Sequence, residues 1–198
     1  MLEKYKEDCE KASQTLRDSI DKEVKLIRLR KDIDGASKQQ QVNYANDMKA
    51  KFELHGYVPM APYLRNHTID YLNSLIKARQ DARDAYSKAI NLAAKSKEEE
   101  KAEDLLNELD RLTEPPVISR WDCVSGKHKW MWTLLADGSI QTQGNANANW
   151  KFKKDKLVIA RENEFWVLEV TSAGTQMKAV NKNKTRFHAS ISYPRKNP

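Results

Sequence analysis

The feature that most constrains this chain is a change in the spacing of its apolar residues at Pro115 and Pro116. Before the diproline, apolar residues recur every three or four positions, which is typical of amphipathic helices. After it, they alternate with polar residues, which is typical of half-buried strands. Because consecutive prolines cannot continue a helix, we predict an α+β chain with two domains. A helical domain is expected over residues 1–114 and a β domain over residues 115–198.

Four helices are predicted in the first segment. They cover residues 2–34, 38–54, 63–94 and 95–112, and Gly35 is expected to end the first helix in a left-handed cap. A single amphipathic helix cannot bury its own apolar stripe, so we expect an elongated bundle or an antiparallel coiled coil. The side chains of the second and fourth helices that are expected to face inward are Val42, Ala45, Met48, Phe52, Ala102, Leu105, Leu106, Leu109 and Leu112.

The second segment contains eight short alternating runs separated by residues that favour tight turns. Asp137-Gly138 is the strongest hairpin signal among these turns. Many short strands with tight connections predict an antiparallel up-and-down sheet, either closed into a small barrel or left as a curled meander. The predicted strands are residues 117–124, 128–136, 139–144, 147–153, 156–161, 164–171, 176–181 and 185–193.

The motifs of the second segment also resemble a known kind of module. Trp121 opens it, TLLADGSI links two strands, Trp150 follows, and Gly174 and MKAVN come before the last strand. This order is similar to a lipocalin-like module repeated in many bacterial proteins. The helical segment, with FELHGYVPMAPYLRNHTIDYL and EEEKAEDLLNELDRL, resembles uncharacterised, often exported proteins of planctomycete-type bacteria. The resemblance implies a helical stalk that carries a lipocalin-like β-barrel, and it implies no particular activity.

Net charge is divided unevenly between the two segments. The chain carries +7 overall, of which residues 115–198 contribute +8 and residues 1–114 contribute −1. A basic segment favours an anionic partner such as nucleic acid, an acidic glycan or a membrane surface. The alternative is a solvated basic surface that serves solubility.

Residues suited to catalysis or metal binding are scattered along the chain. The four histidines show no metal-binding spacing, and the sequence contains no G-x-S-x-G motif and no phosphate-binding glycine loop. Cys9 and Cys123 are expected to be buried free thiols, with a disulfide as the alternative. We therefore expect no enzymatic activity, no cofactor and no metal site.

The tryptophans are the most informative residues of the second segment. On an exposed face their rings would stack on sugars or unpaired bases, and nearby lysines would neutralise acidic groups. The alternative, which we favour, is that most of the rings form the core, because a small domain has little other apolar area to bury. Trp130 is then the ring most available to a ligand. The candidate ligand-binding residues are Trp121, Trp130, Trp132, Trp150, Lys127, Lys129, Lys151 and Lys153.

Three functions are compatible with these observations. The first hypothesis is a non-enzymatic interaction or structural protein, whose helical segment forms a homo-oligomer or binds a protein partner. The second is a ligand-binding module that takes a glycan, a lipid or a peptide on the Trp-rich β face. The third is nucleic-acid binding through the basic segment, which predicts an affinity that falls steeply with salt.

The sequence and the resemblance point to different locations. We expect no membrane span, because no apolar run approaches the length that crosses a bilayer. The first residues, MLEKYKEDCEK, lack the apolar stretch of a signal peptide, which favours the cytoplasm. The resemblance implies export instead.

Overall fold

The helical and β segments form two successive layers of one structure. In a computed structural model, the described residues form four α-helices followed by eight antiparallel strands in a closed barrel. The predicted α+β architecture is confirmed, and the β segment is a closed barrel rather than a curled meander. The residues that the structure describes are 1–112, 115–142, 148–154, 156–161, 164–180 and 187–192.

The helices pack through apolar side chains spaced three and four residues apart. They are α1 (Leu2–Leu29), α2 (Gly35–His55), α3 (Arg65–Lys95) and α4 (Glu99–Arg111), and a 3₁₀ turn at Pro62–Leu64 precedes α3. Helix α1 contacts both α2 and α3, and α4 contacts α3. The predicted inward face of α2 is confirmed. The buried residues of α1 and α2 are Ala12, Leu16, Ile20, Val24, Ile27, Val42, Ala45, Met48 and Phe52.

Gly35 does not end the first helix, so that prediction is wrong. Helix α1 ends at Leu29, and Gly35 is the first residue of α2. Asp34 is the N-cap of α2, because its carboxylate accepts a hydrogen bond from the backbone N–H of Ser37 at 2.9 Å. A carboxylate there satisfies one of the helix's unpaired N–H groups. The left-handed cap is found at Gly56 instead, with φ 70°.

Helix α4 is more exposed than its apolar stripe predicts. None of its described residues is buried, and Leu106 is 47% exposed. Of the side chains predicted to be buried there, only Leu112, just beyond the helix, is buried. The reason is that α4 lies on the outside of α3, where Tyr86 donates a hydrogen bond to Glu108 at 2.5 Å. A helix with one main neighbour leaves part of its stripe in water.

The barrel closes because its first and last strands pair. Each strand is antiparallel to the next, and β1 also pairs with β8, where Cys123 lies opposite Ala189. Predicted strand residues 143–144, 147, 181, 185–186 and 193 lie outside the described residues, as do residues 113–114 and 194–198 of the predicted domains. The strands are β1 (Val117–Ser125), β2 (His128–Leu135), β3 (Ser139–Thr142), β4 (Ala148–Lys153), β5 (Lys156–Arg161), β6 (Glu164–Val170), β7 (Gln176–Ala179) and β8 (Phe187–Ile191).

Alternate side chains of the strands fill the barrel interior. The register places Trp121 opposite Trp132 and Trp150 opposite Ile159, so these side chains share the inner face. On the other face His188 is exposed, as the alternation predicts, whereas Thr133 is buried. The buried residues of the inner face include Trp121, Cys123, Trp132, Leu134, Ile140, Ala148, Trp150, Leu157, Ile159, Trp166, Leu168, Val170, Met177, Ala179, Phe187 and Ala189.

The helices cover one end of the barrel, here called the helix-facing end. The Val58 N–H donates to the Ile118 carbonyl at 2.8 Å. Gly174, between β6 and β7, lies so close to the helical segment that an added Cβ would be 2.8 Å from Met48 Sδ. One cluster of buried apolar side chains runs from α1 and α2 into the barrel. The opposite end, with the Gly126 turn, is called the far end.

Candidate functional site

Three of the four tryptophans singled out in the sequence lie in the core. Trp121 is 0%, Trp132 3% and Trp150 6% exposed. The Trp121 indole N–H donates to Ser119 Oγ at 2.9 Å, and the Trp150 indole N–H donates to the Leu135 carbonyl at 2.9 Å. A buried indole needs such a partner for its N–H. These two indoles therefore have their polar atom satisfied inside the protein.

Trp130 is half-buried and lies at the end of an aromatic cluster inside the barrel. Its ring centroid is 5.8 Å from that of Trp132 and 5.7 Å from that of Phe187. Trp132 in turn lies 5.7 Å from Trp166 in an edge-to-face arrangement. Cys123, opposite Trp130, is a buried free thiol whose pKa is raised by burial. The cluster extends the core toward the far end, where Trp130 is only partly buried.

The four candidate lysines are all exposed, but they lie in two places. Lys127 is in the turn between β1 and β2, and Lys129 is on the outer face of β2, opposite Val124. Lys151 and Lys153 are on the outer face of β4, nearer the helix-facing end. Strand β3 separates the two pairs. The structure therefore does not bring the eight candidate residues into one site.

A groove lies between α3 and the barrel, and we call it the α3 groove. It consists of two adjoining cavities of about 240 Å³ and 260 Å³, which share Ile76, Ala136 and Asp137 as lining residues. The first cavity extends toward β4 and the second toward the middle of α3. The remaining lining residues are Ile69, Leu72, Asn73, Leu75, Arg79, Gln80, Arg83, Pro116, Gly138, Trp150, Lys151 and Phe152.

The Asp137-Gly138 turn forms one wall of the groove and is held by local hydrogen bonds. Asp137 Oδ1 accepts from the Ser139 backbone N–H at 3.0 Å and from its hydroxyl at 2.6 Å. Gly138 has φ 87°, which a residue with a Cβ rarely adopts. Its carbonyl accepts from the Trp150 N–H at 2.7 Å. The wall is therefore fixed to both β3 and β4.

The charges around the groove are mostly positive. Arg79, Arg83 and Lys151 line it, against the single described carboxylate of Asp137. Arg79 is held in place because its Nε donates to the Leu112 carbonyl at 3.0 Å. Among the described residues, neither Arg83 nor Lys151 forms an ion pair.

Sequence reasoning identified Trp150 and Lys151 but missed the α3 side of the groove. Ile76 is 46% exposed although it directly follows the buried Leu75. Ile76, Arg79 and Arg83 are spaced three and four residues apart, so they share one face of α3. The sequence did contain a signal for this side of the groove. A large apolar residue lies beside the buried stripe of α3, and two arginines follow it on the same face.

The other cavities and clusters carry less chemistry. A cavity of about 380 Å³ between α1 and α3 is lined by lysines and aspartates of both helices, so its charges largely offset one another. Within the described ranges, no group of three or more His, Cys, Asp or Glu side chains is placed to hold a metal ion. Nor does any helix in those ranges have an apolar stretch long enough to span a membrane.

No protein-family model, curated protein or solved structure matches this chain.

Proposed function

We propose that this chain is a non-enzymatic interaction protein, in which the helices and the barrel form one body that presents a protein-binding surface. The observation that carries the proposal is the continuous apolar core, which runs from α1 and α2 through the helix-facing end into the barrel. This core uses the inner faces of both segments for folding. Recognition of a partner protein then depends on the outer surface. Among the cavities of the described residues, the α3 groove is the most apolar.

The filled barrel interior argues against a ligand held inside it. Such a ligand would have to displace rings such as Trp121 and Trp132, which are almost completely buried. A buried Trp removes on the order of 200 Å² from water, which is worth about 5 kcal/mol at ~25 cal/mol per Å². Displacing even one ring would cost a large fraction of a typical domain stability of about 5–15 kcal/mol.

The test is a parallel titration of the full chain with four classes of ligand. Acidic oligosaccharides, fatty-acid micelles and oligonucleotides are added separately, and a displayed library of short random peptides is selected on the same protein. We expect the library to yield peptides that bind in solution. The other three classes should leave the melting temperature and the tryptophan emission unchanged. A library that yields no binder would contradict the proposal.

A second candidate is a ligand-binding module at the far end. The specific observation in its favour is that Trp130 is half-buried and has Lys127 and Lys129 nearby on β2 and its turn. An acidic sugar stacked on the ring would be neutralised by these ammonium groups. In the same titration this candidate predicts that acidic oligosaccharides quench the emission and raise the melting temperature. Nucleic-acid binding would instead appear as oligonucleotide affinity that falls steeply with salt.

A further inference from the structure

The floor of the α3 groove is apolar over a length that suits a short peptide. From Ile69 to Arg83 the groove follows about 21 Å of α3, at ~1.5 Å per residue. An extended peptide advances ~3.4 Å per residue, so about six residues fit this length. Leu72 lines the groove but is itself buried, whereas Ile76 is exposed and Phe152 is half-buried. Covering them would remove apolar area from water.

The charges of the groove are arranged along its length. Arg83 lies at one end of the groove, one helical turn from Arg79, and Lys151 lies at the other end. Asp137 lies between them, beside Ile76 in the region that the two cavities share. Carboxylates are therefore favoured at both ends and disfavoured in the centre. Arg83 is also suited to bind a carboxylate, because a guanidinium can donate two parallel hydrogen bonds to the two carboxylate oxygens.

From these observations we infer that the α3 groove binds an extended acidic segment of a partner protein, with carboxylates at both ends and apolar side chains in the middle. The inference rests on the proposed interaction function and names the partner's chemistry. A peptide fits better than a nucleic acid because most of the apolar lining is aliphatic, and of its two aromatic residues Trp150 is buried and Phe152 is half-buried, so no row of rings is open for stacking. In addition, the few cations would neutralise too few phosphates for strong nucleic-acid binding. A contact of this size is typical of weak, transient interfaces.

The experiment measures peptide binding to the full chain and to two groove variants. Peptides selected on the wild-type protein are labelled, and their affinity is measured by fluorescence anisotropy. We expect the selected sequences to place Asp or Glu on either side of an apolar centre. Ile76→Asp puts a carboxylate on the groove floor, and Arg83→Glu reverses the charge at one end. Each variant should weaken binding about tenfold or more.

Matched controls lie on the same helix outside the groove. Leu92→Asp introduces the same group at a position that is 67% exposed, and Lys88→Glu reverses an exposed charge. Both controls should bind the peptides as the wild-type chain does. Circular dichroism and the melting temperature of each variant verify that the helix is intact. If Ile76→Asp is poorly folded, Arg83→Glu tests the groove alone.

The outcomes separate this inference from the proposed function. If the selected peptides bind Ile76→Asp and Arg83→Glu as tightly as the wild type, the groove assignment is overturned and the interaction function stands. If no peptide binds, both are overturned. Oligonucleotide binding that Arg83→Glu abolishes would replace the peptide with a nucleic acid. A dimer that Ile76→Asp converts to a monomer in light scattering would show that a second copy of the chain occupies the groove.

Discussion

Two glycines with nearly the same backbone conformation have very different surroundings. Gly174 has φ 67° and Gly126 has φ 61°, so a side chain at either position is strained. A Cβ on Gly126 would meet nothing within 4 Å, whereas one on Gly174 would also be 3.0 Å from the Ala61 backbone nitrogen. Gly174 is therefore required both for its conformation and for the close approach of the barrel to the helices.

Alanine substitution of these glycines separates the two effects. Gly126→Ala is expected to cost about 1 kcal/mol, from backbone strain alone. Gly174→Ala should cost about 1–3 kcal/mol more, because the methyl group crowds Met48 and the Ala61 backbone. Urea unfolding of both variants measures the difference in the free energy of unfolding. Equal losses would mean that the helices and the barrel do not pack as closely at Gly174 as the structure has them.

Single residues also show how far the candidate site was predictable. Alternation along the strands was sufficient to predict that Trp132 and Trp150 face inward, because burial on a sheet follows a period of two. The same rule says nothing about which strand lies beside which helix. Ile76 and Ala136 line the α3 groove together although they are far apart in the sequence. No local pattern specifies that arrangement, so Trp150 and Lys151 are the only lining residues of the groove that were predicted as site residues.

At the scale of elements, the start of α2 depends on one charged cap. The hydrogen bonds that Ser37 donates hold the pKa of Asp34 below its usual range. Since the pKa is lower in the folded state than in the unfolded state, the cap stabilises the fold above the unfolded pKa. That stabilisation is lost as the pH falls through the folded pKa.

Substitutions of Asp34 test this pH dependence. Asp34→Ala is expected to lower the melting temperature at neutral pH and to flatten its decline in acid. Asp34→Asn keeps an acceptor for the Ser37 N–H but does not titrate. It should therefore stay close to the wild type at neutral pH and share the flatter acid profile. Melting curves between pH 7 and pH 2 measure both effects, and an unchanged acid profile in both variants would refute the role of the cap.

Two predictions about the helices were wrong, one about the start of α2 and one about the burial of α4. The sequence Asp34-Gly35 suits either the end of one helix or the start of the next, and the Ser37 contact decides between them. The leucines of α4 indicate an apolar face, but a stripe does not tell how many neighbours will cover it. Helix α4 lies on α3 at the outside of the bundle, and for that reason Leu106 remains exposed.

At the scale of the whole molecule, the helices and the barrel share one core. All five tryptophans lie in residues 115–198, whereas the α-helices lie in residues 1–112. Tryptophan emission therefore reports on the barrel, and the circular dichroism signal at 222 nm reports mainly on the helices. The shared core predicts that both signals change at the same urea concentration, in one cooperative transition.

Two separate transitions would contradict this expectation and favour the two independent domains predicted from the diproline. Gly174→Ala provides a second test, because it loosens the packing between the segments. If the transition is cooperative, this variant should shift both signals together. Gly126→Ala, at the far end, changes the barrel alone, so in a cooperative transition it must also shift both signals, and a shift in the tryptophan emission only would contradict the shared core.

The general architecture was predictable, but the closure of the barrel and the packing of the helices against it were not. A change in apolar period and seven turn signals were sufficient for the helices and strands, since both depend on neighbouring residues. The pairing of Cys123 with Ala189 closes the barrel, and it joins strands at opposite ends of the β segment. The hydrogen bond from Val58 to Ile118 likewise joins distant residues. Such contacts depend on the whole fold.

The double pairing of β1 has a consequence for how the protein is made. Its second neighbour, β8, is the last strand of the described barrel to be translated, so the N–H and C=O groups along that side of β1 stay unpaired until then. The helices emerge before the barrel, with which they share one core. During translation the nascent chain therefore carries helices whose barrel-facing side is uncovered together with an open sheet, and both expose groups through which chains can aggregate.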